Sequence, residues 1–529
     1  MDAIRLKNLR NLEDTGFVQI KPITFLLGSN SSGKSTFLRF FPLIRQSAAA
    51  RTIGPILWYG NLVDFGSFSE ALNNKSSVNE ISFMYKFRIP KFTNKERHPV
   101  WSRLYRAVPV IEDLDVILDL KMTTDEKRQG VTICKECSFQ LADHRITIEM
   151  NASGDVVKFN VNENNFLAKG LKLKTEQTGS FLPQVFKVID KREDIDTLFF
   201  YSSFYARSKT PLLLEELVET VSDLVHHKTK GERVRLLVSS FGIGSSKAML
   251  ADMKNADNGG ETWNKKTDNW NENEHTYKYI RDLVIANSLI LLLSCFDDYI
   301  ANFARKISYI GPIRATAERY YRSQELAVGE VDSQGKNLAM FIRNLTKEEK
   351  KNFAKWTQEY FGFSLLVRSS GEHISLKIRE ENLQTEINLA DTGFGFSQVL
   401  PILTQLWWLS RKLNSSYRSP HLITFTIEQP ELHLHPKLQA LFADSLIAAI
   451  KASKHSGIDL RLIIETHSET LINRFGHRIA NKDFDREDIN VVLFDRKKAS
   501  DSVGIRVVSY DEEGFLTNWP LGFFEPDMI

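Results

Sequence analysis

Apolar and polar positions change rhythm three times along the chain. Ile4, Leu6 and Leu9 open on a strand-like alternation, and residues 23–27 form a short apolar run read as a buried strand. Residues 36–41 then take helical spacing. Between 81 and 190, short runs such as Ile146–Met150 and Val156–Asn160 alternate with period two and are separated by turn residues, predicting a β-rich region. Residues 212–221 and 283–303 carry helical periodicity instead. The stretch 254–275 between them is dense in Asn, Gly, Asp, Glu and Lys and reads as a mobile loop. From Ile307 to about Val508, strands and helices alternate, the pattern of an α/β lobe. The expected organisation is a β-rich N-terminal lobe over 1–195, a helical insertion over 196–305 and a C-terminal α/β lobe over 306–529.

Composition narrows the class. The 529 residues are 42% hydrophobic and 26% charged, with 69 basic and 66 acidic residues and a net charge of +3. A globular protein is expected, and any nucleic-acid-binding surface must be local. Three cysteines make no disulfide framework, no N-terminal leader pattern is seen, and the apolar run 289–296 is too short to span a bilayer. A cytoplasmic location is expected.

The strongest chemistry lies at Gly28, Ser29, Asn30, Ser31, Ser32, Gly33, Lys34 and Ser35, followed by Thr36. This is the spacing G-x-x-x-x-G-K-[ST] between a strand and a helix. It predicts a turn whose backbone N–H groups cradle phosphates, a lysine near the terminal phosphates and a serine hydroxyl for Mg²⁺. A magnesium-binding carboxylate is then required at the end of a buried strand. Residues 421–427 are apolar and β-branched and end in Glu428, with Pro430 stopping the strand. Upstream, Gly393, Gly395, Ser397 and Gln398 open an apolar helix, a second glycine-containing helix start. Downstream, the run 462–464 leads into Glu465, Thr466 and His467, and this histidine is placed to reach a γ-phosphate.

This order of P-loop, glycine-rich helix start, strand with Glu, Pro-Glu-x-His-x-His-Pro and strand-Thr-His resembles the ABC-type ATPases, the class of SMC, RecF and OLD-like proteins. The resemblance covers roughly residues 1–75 and 300–529. It implies an α/β ATPase head split between the two ends of the chain, with ATP and Mg²⁺ as cofactors. Glu428 would be the Walker B acid, Gly393, Gly395, Ser397 and Gln398 the signature segment, and His467 the switch histidine. A head-to-tail homodimer with ATP bridging the subunits is also implied. Tyr309 to Arg314, residues 427–436 and residues 514–524 resemble a bacterial branch found in anti-phage systems, notably Septu-type and retron-associated ATPase subunits. That branch implies a nuclease partner, of HNH type, and a structured nucleic acid as further ligand. Two other classes stay open: a DNA repair or recombination ATPase of SMC or RecF type, and an OLD-like nuclease. No membrane partner is expected.

One departure has chemical meaning. Gln429 stands where most ABC-type ATPases carry the glutamate that polarises the attacking water. An amide orients water but takes no proton at neutral pH, so slow hydrolysis is expected, with Glu431 as substitute base.

Two weaker signals complete the reading. Cys134 and Cys137 form C-x-x-C in a strand-like run, where a separation of three is expected to put the thiols on opposite faces and to disfavour a zinc site. Residues 85–106 interleave cations with Phe87, Phe92, Trp101 and Tyr105. Single-stranded nucleic acid suits that composition, and so does a solvated loop with its rings tucked inward.

Overall fold

The computed structural model describes residues 1–92, 100–125, 130–176, 179–188, 212–380, 385–411, 421–495 and 503–519. They fall into two compact units. One holds residues 1–17, 44–60 and 64–305, the other residues 18–43, 61–63 and 306–529. The P-loop segment therefore groups with the C-terminal half, and the helices of 212–305 group with the β-rich region. The expected three-part division becomes two parts, and its boundary at 195 lies outside the described residues, as do residues 520–529.

The first unit is built on an antiparallel sheet. Its strands run in the order Asn164–Asn165, Val156–Val161, His144–Met150, Val131–Leu141, Leu114–Asp125, Ile81–Ile89, Ala3–Leu9 and Leu12–Asp14. Burial alternates along them, as expected for a sheet with one covered face. The helix His275–Arg305 supplies much of the covering. Its Phe296 and Tyr299 meet Phe87, and Phe296 also packs on Phe139. By length and composition this helix could cross a membrane, and 61% of its apolar window is buried inside the protein. The apolar run 289–296 is thus the middle of a longer helix than expected.

Two expectations fail here for physical reasons. The loop predicted over 254–275 contains the helix Gly260–Asp268, fixed by Trp263, which is fully buried, stacks on Phe241 and donates its indole N–H to Met253 O. The two thiols of Cys134 and Cys137 do not point to opposite faces. Cys137 pairs with Leu120 and Cys134 with Met122, so the strand bulges by one residue at Lys135, which stays exposed. The bulge resets the parity, and both cysteines are buried on one face. Burial pushes both thiols well above their ordinary pKa, and no metal-holding group of three or more His, Cys, Asp or Glu occurs among the described residues. In the basic segment, Trp101 is fully buried and stacks on Tyr299 and Phe87, while Arg103 bonds Ser294 and Asp298. Two of its rings therefore belong to the core, and Lys95 and Arg97 lie outside the described residues.

The second unit carries a largely parallel sheet. Its order is Ile307–Ile310, His421–Glu428, Ile458–Glu465, Ile23–Gly28, Ile489–Asp495, Gly504–Tyr510 and Leu516–Thr517, parallel through the fifth strand and antiparallel after it. The strands Ile23–Gly28 and Ile307–Ile310 are buried along their whole length, Thr24 and Ser308 included. Parallel neighbours need crossover connections, and the helix Pro436–His455 links the strands ending at Glu428 and Glu465. His435 caps that helix by accepting from Lys437 N, and Pro436 occupies its first turn. The α/β class and the meeting of the two chain ends in one sheet are as expected.

Candidate functional site

Parallel strands deliver their carboxyl ends to one edge of the sheet, and the P-loop lies on that edge. Registers align Leu26 with Glu465 and Glu465 with Glu428, so both carboxylates emerge beside the turn that begins at Gly28. The backbone requires glycine at the turn's start. A Cβ on Gly28 would lie 2.3 Å from Phe494 O and 2.7 Å from Ser32 Oγ. Gly33 and Ser31 take positive φ of 99° and 62°, where glycine is favoured.

Ser29, Asn30 and Ser31 are exposed, whereas Ser32, Gly33, Lys34 and Thr36 are buried. Lys34 and Ser35 begin the helix Lys34–Ala49. The Lys34 ammonium donates to Gly28 O at 2.9 Å and Ser29 O at 2.7 Å. Burial lowers its pKa, opposed by the charges of Glu465 and Glu431. Ser35 Oγ donates to Glu465 Oε1 at 2.8 Å. Ser32 Oγ and Glu465 Oε2 are buried without a hydrogen-bond partner. Burial pushes the Glu465 carboxyl up to about 7, and the nearby Glu428 charge adds to the rise.

Glu428 is held by two side chains from other elements. The Arg39 guanidinium grips both of its oxygens, Nε to Oε1 and Nη2 to Oε2, each at 2.8 Å, and Tyr309 OH donates to Oε1 at 2.7 Å. It is Glu465 that meets Ser35. Arg314 braces the same strand end by donating to Glu428 O at 2.5 Å and Gln429 O at 3.2 Å. Its Nε and Nη1 are buried without partners, and burial pushes its pKa down to about 10. Gln429 sits at φ 43° and donates its N–H to Glu465 O.

Glu431 holds the neighbouring turn. Its Oε2 accepts from Thr466 Oγ1 at 2.7 Å and its Oε1 from His467 N at 2.8 Å. Each oxygen accepts one hydrogen bond, so Glu431 ties the strand end at Glu428 to the Thr466–His467 turn, and burial raises its pKa. His467 lies at the surface, and partial loss of water around its ring, followed by the Lys34 charge, lowers its pKa.

The second glycine-rich helix start also lies in this unit. Gly393 precedes the helix Phe394–Leu409. A Cβ on Gly395 would lie 2.7 Å from His433 O, which explains the glycine. Ser397 and Gln398 are buried, and they donate to Phe394 O and Arg314 O. The exposed surface of this segment is Gly393 and Phe394, with Phe394 edge-on to His433.

Arg39, Tyr309, Arg314 and Glu465 were missed as site residues. Glu465 had a signal, since it closes an apolar strand just as Glu428 does. Arg39 had none beyond its place one turn after Ser35.

The family model for the AAA ATPase domain (AAA_15) matches residues 1–472. The chain belongs to this ATPase family. A curated relative, "Endonuclease GajA" of Bacillus cereus (strain HuB5-5), is 28% identical over 101 residues, which is 18% of this chain and 15% of the relative. Among solved structures, the Smc head domain with an extended coiled coil bound to the C-terminal domain of ScpA, from Pyrococcus furiosus, aligns over 96% of both chains at 11% identity and TM-score 0.35. The SMC head domain from Thermotoga maritima aligns over 96% of this chain and 98% of that one, at 10% identity and TM-score 0.33.

Proposed function

We propose that this ATPase binds Mg²⁺-ATP at the P-loop, hydrolyses it slowly and uses the bound state to close a head-to-tail homodimer that regulates a partner. The observation that carries the reading is the meeting of Lys34 and Ser35 with Glu465 and Glu428, from opposite ends of the chain, at one sheet edge. The residues suit a triphosphate with its metal. Ser32 Oγ and Glu465 Oε2 are buried polar atoms that want partners, and the Gly28 turn tolerates no side chain. Bound magnesium supplies positive charge at the phosphate oxygens.

Each remaining role falls to a residue of the chain. Lys34 would hold the terminal phosphates, and Ser35 with the strand-end carboxylates would hold the metal. Gln429 would orient water without accepting its proton, so hydrolysis is slow. Glu431 fixes the Thr466–His467 turn and keeps His467 at the site. Gly393 and Gly395 would meet the nucleotide of a second subunit, with buried Ser397 and Gln398 positioning the helix behind them. The motif likeness to defence ATPases supports a nuclease, of HNH type, as the regulated partner, with nucleic acid as a further ligand. The endonuclease name of the 28%-identical relative favours a second reading, in which the chain itself cuts nucleic acid.

Turnover of purified protein and its mass by light scattering, with and without Mg²⁺-ATP, test this. Turnover below about 1 per second, the floor of the usual range, with ATP-dependent doubling of mass, is expected. Tens per second from an unchanging monomer contradicts it. Cleavage of DNA or RNA by the chain alone selects the second reading.

A further inference from the structure

Gln429 holds a conformation that its own chemistry opposes. Its φ of 43° lies in the left-handed region, which residues with a Cβ rarely adopt. Pro430 follows, and the residue before a proline is pressed toward extended backbone. The conformation persists because both peptide units around Gln429 are held. The unit before it has its N–H on Glu465 O and its carbonyl, Glu428 O, on the Arg314 guanidinium at 2.5 Å. The unit after it has no N–H, because proline supplies none, so its carbonyl is the only polar handle. That carbonyl, Gln429 O, accepts from the same Arg314 Nη2 at 3.2 Å and from Leu432 N–H at the longer 3.4 Å. One nitrogen therefore clasps two consecutive carbonyls. Peptide planes fixed on both sides of a Cα fix the direction in which its side chain leaves.

Arg314 is itself well fixed. It follows the strand Ile307–Ile310, is only 4% exposed, and its own carbonyl accepts from Gln398 Nε2. Withdrawing a guanidinium from water is costly, and a neutral donor would tie two carbonyls without that cost. Resting on the reading that Gln429 orients the attacking water, we propose that Arg314 is its positioning residue: the clasp on Glu428 O and Gln429 O holds Gln429 left-handed and so aims its amide. In this role Arg314 acts on no reactant directly, and turnover depends on it through Gln429. Without the clasp, Gln429 relaxes toward negative φ and its amide swings away from the water. Among the described residues no hydrogen bond joins Arg314 to the P-loop, so nucleotide binding is spared.

The test is a double-mutant cycle on the full chain, reading turnover at saturating Mg²⁺-ATP and, separately, affinity for a non-hydrolysable ATP analogue. Gln429→Ala and Arg314→Met should each lower turnover about tenfold or more while keeping analogue affinity within about threefold. The double variant should be no slower than Gln429→Ala alone, within about twofold, because the clasp has nothing left to aim. Arg314→Lys keeps the charge and should lower turnover less, again with no further loss on the Gln429→Ala background. It serves in the same cycle if Arg314→Met does not fold. Parent-like turnover in both Arg314 variants, losses that multiply in the double variant, or a matching fall in analogue affinity would overturn the assignment while leaving the nucleotide reading intact. Parent-like turnover of Gln429→Ala, or a parent that binds no analogue, removes the reading of Gln429 itself, and this proposal falls with it.

Discussion

The two units handle carboxylates withdrawn wholly or partly from water in opposite ways. In the antiparallel unit, Asp297 on the helix His275–Arg305 accepts from the backbone N–H groups of Phe181 and Leu182, so its oxygen is used by the fold itself. In the parallel unit, Glu465 ends its strand with one oxygen on Ser35 and the other without a partner. An antiparallel sheet sends strand ends alternately to both edges, whereas a parallel sheet gathers them at one. Chemistry concentrates where several strand ends converge, and charge in the other unit serves packing.

The sharpest way to break this contrast is a truncation in the antiparallel unit. Trp101→Ala removes a fully buried ring from the stack with Phe87 and Tyr299 and should cost about 3–5 kcal/mol in denaturant unfolding. If stability holds while affinity for single-stranded nucleic acid falls, the ring is a binding element and the contrast is wrong. Next in size is Gly395→Ala, whose Cβ would meet His433 O at 2.7 Å. It should cost about 1–3 kcal/mol and weaken ATP-dependent dimerisation by light scattering. Unchanged dimerisation would separate this helix start from subunit closure. The smallest effect is at Asp297, whose pKa burial pushes up to about 6 from an ordinary 3.8. A raised carboxyl favours the folded state below pH 3.8, and that contribution is lost as pH rises through 6. Asp297→Asn keeps an acceptor for both N–H groups. Relative to the parent it should gain stability between pH 4 and pH 7, of order 1 kcal/mol given the group's partial exposure. A parallel pair of pH–stability curves would mean that Asp297 is not the half-buried, raised-pKa acid described.

The parallel unit was the more legible in sequence. Its inner strands are rich in apolar residues, and the P-loop spacing is set by phosphate chemistry, so Lys34, Ser35 and the strand ending in Glu428 stood out, while Glu465 was passed over beside His467. What sequence hid was pairing. Nothing in the order of residues says that Arg39 takes Glu428 and leaves Glu465 to Ser35, because that choice is made across 389 and 430 positions of chain. In the antiparallel unit, a single extra residue at Lys135 reversed the facing of Cys137, and periodicity cannot register a bulge without a glycine to mark it. The helix Gly260–Asp268 was hidden because one tryptophan anchors an otherwise polar segment. Tertiary burial overrode composition there.

The central claim is that the two ends of the chain jointly bind a nucleoside triphosphate, and calorimetric titration of the parent and Lys34→Ala with a non-hydrolysable ATP analogue and Mg²⁺ tests it directly. The account predicts a clear binding isotherm for the parent and a loss of about a hundredfold or more in affinity for Lys34→Ala, the size expected when a buried charged donor is removed. Equal affinities, or no heat of binding from a folded parent, would contradict it.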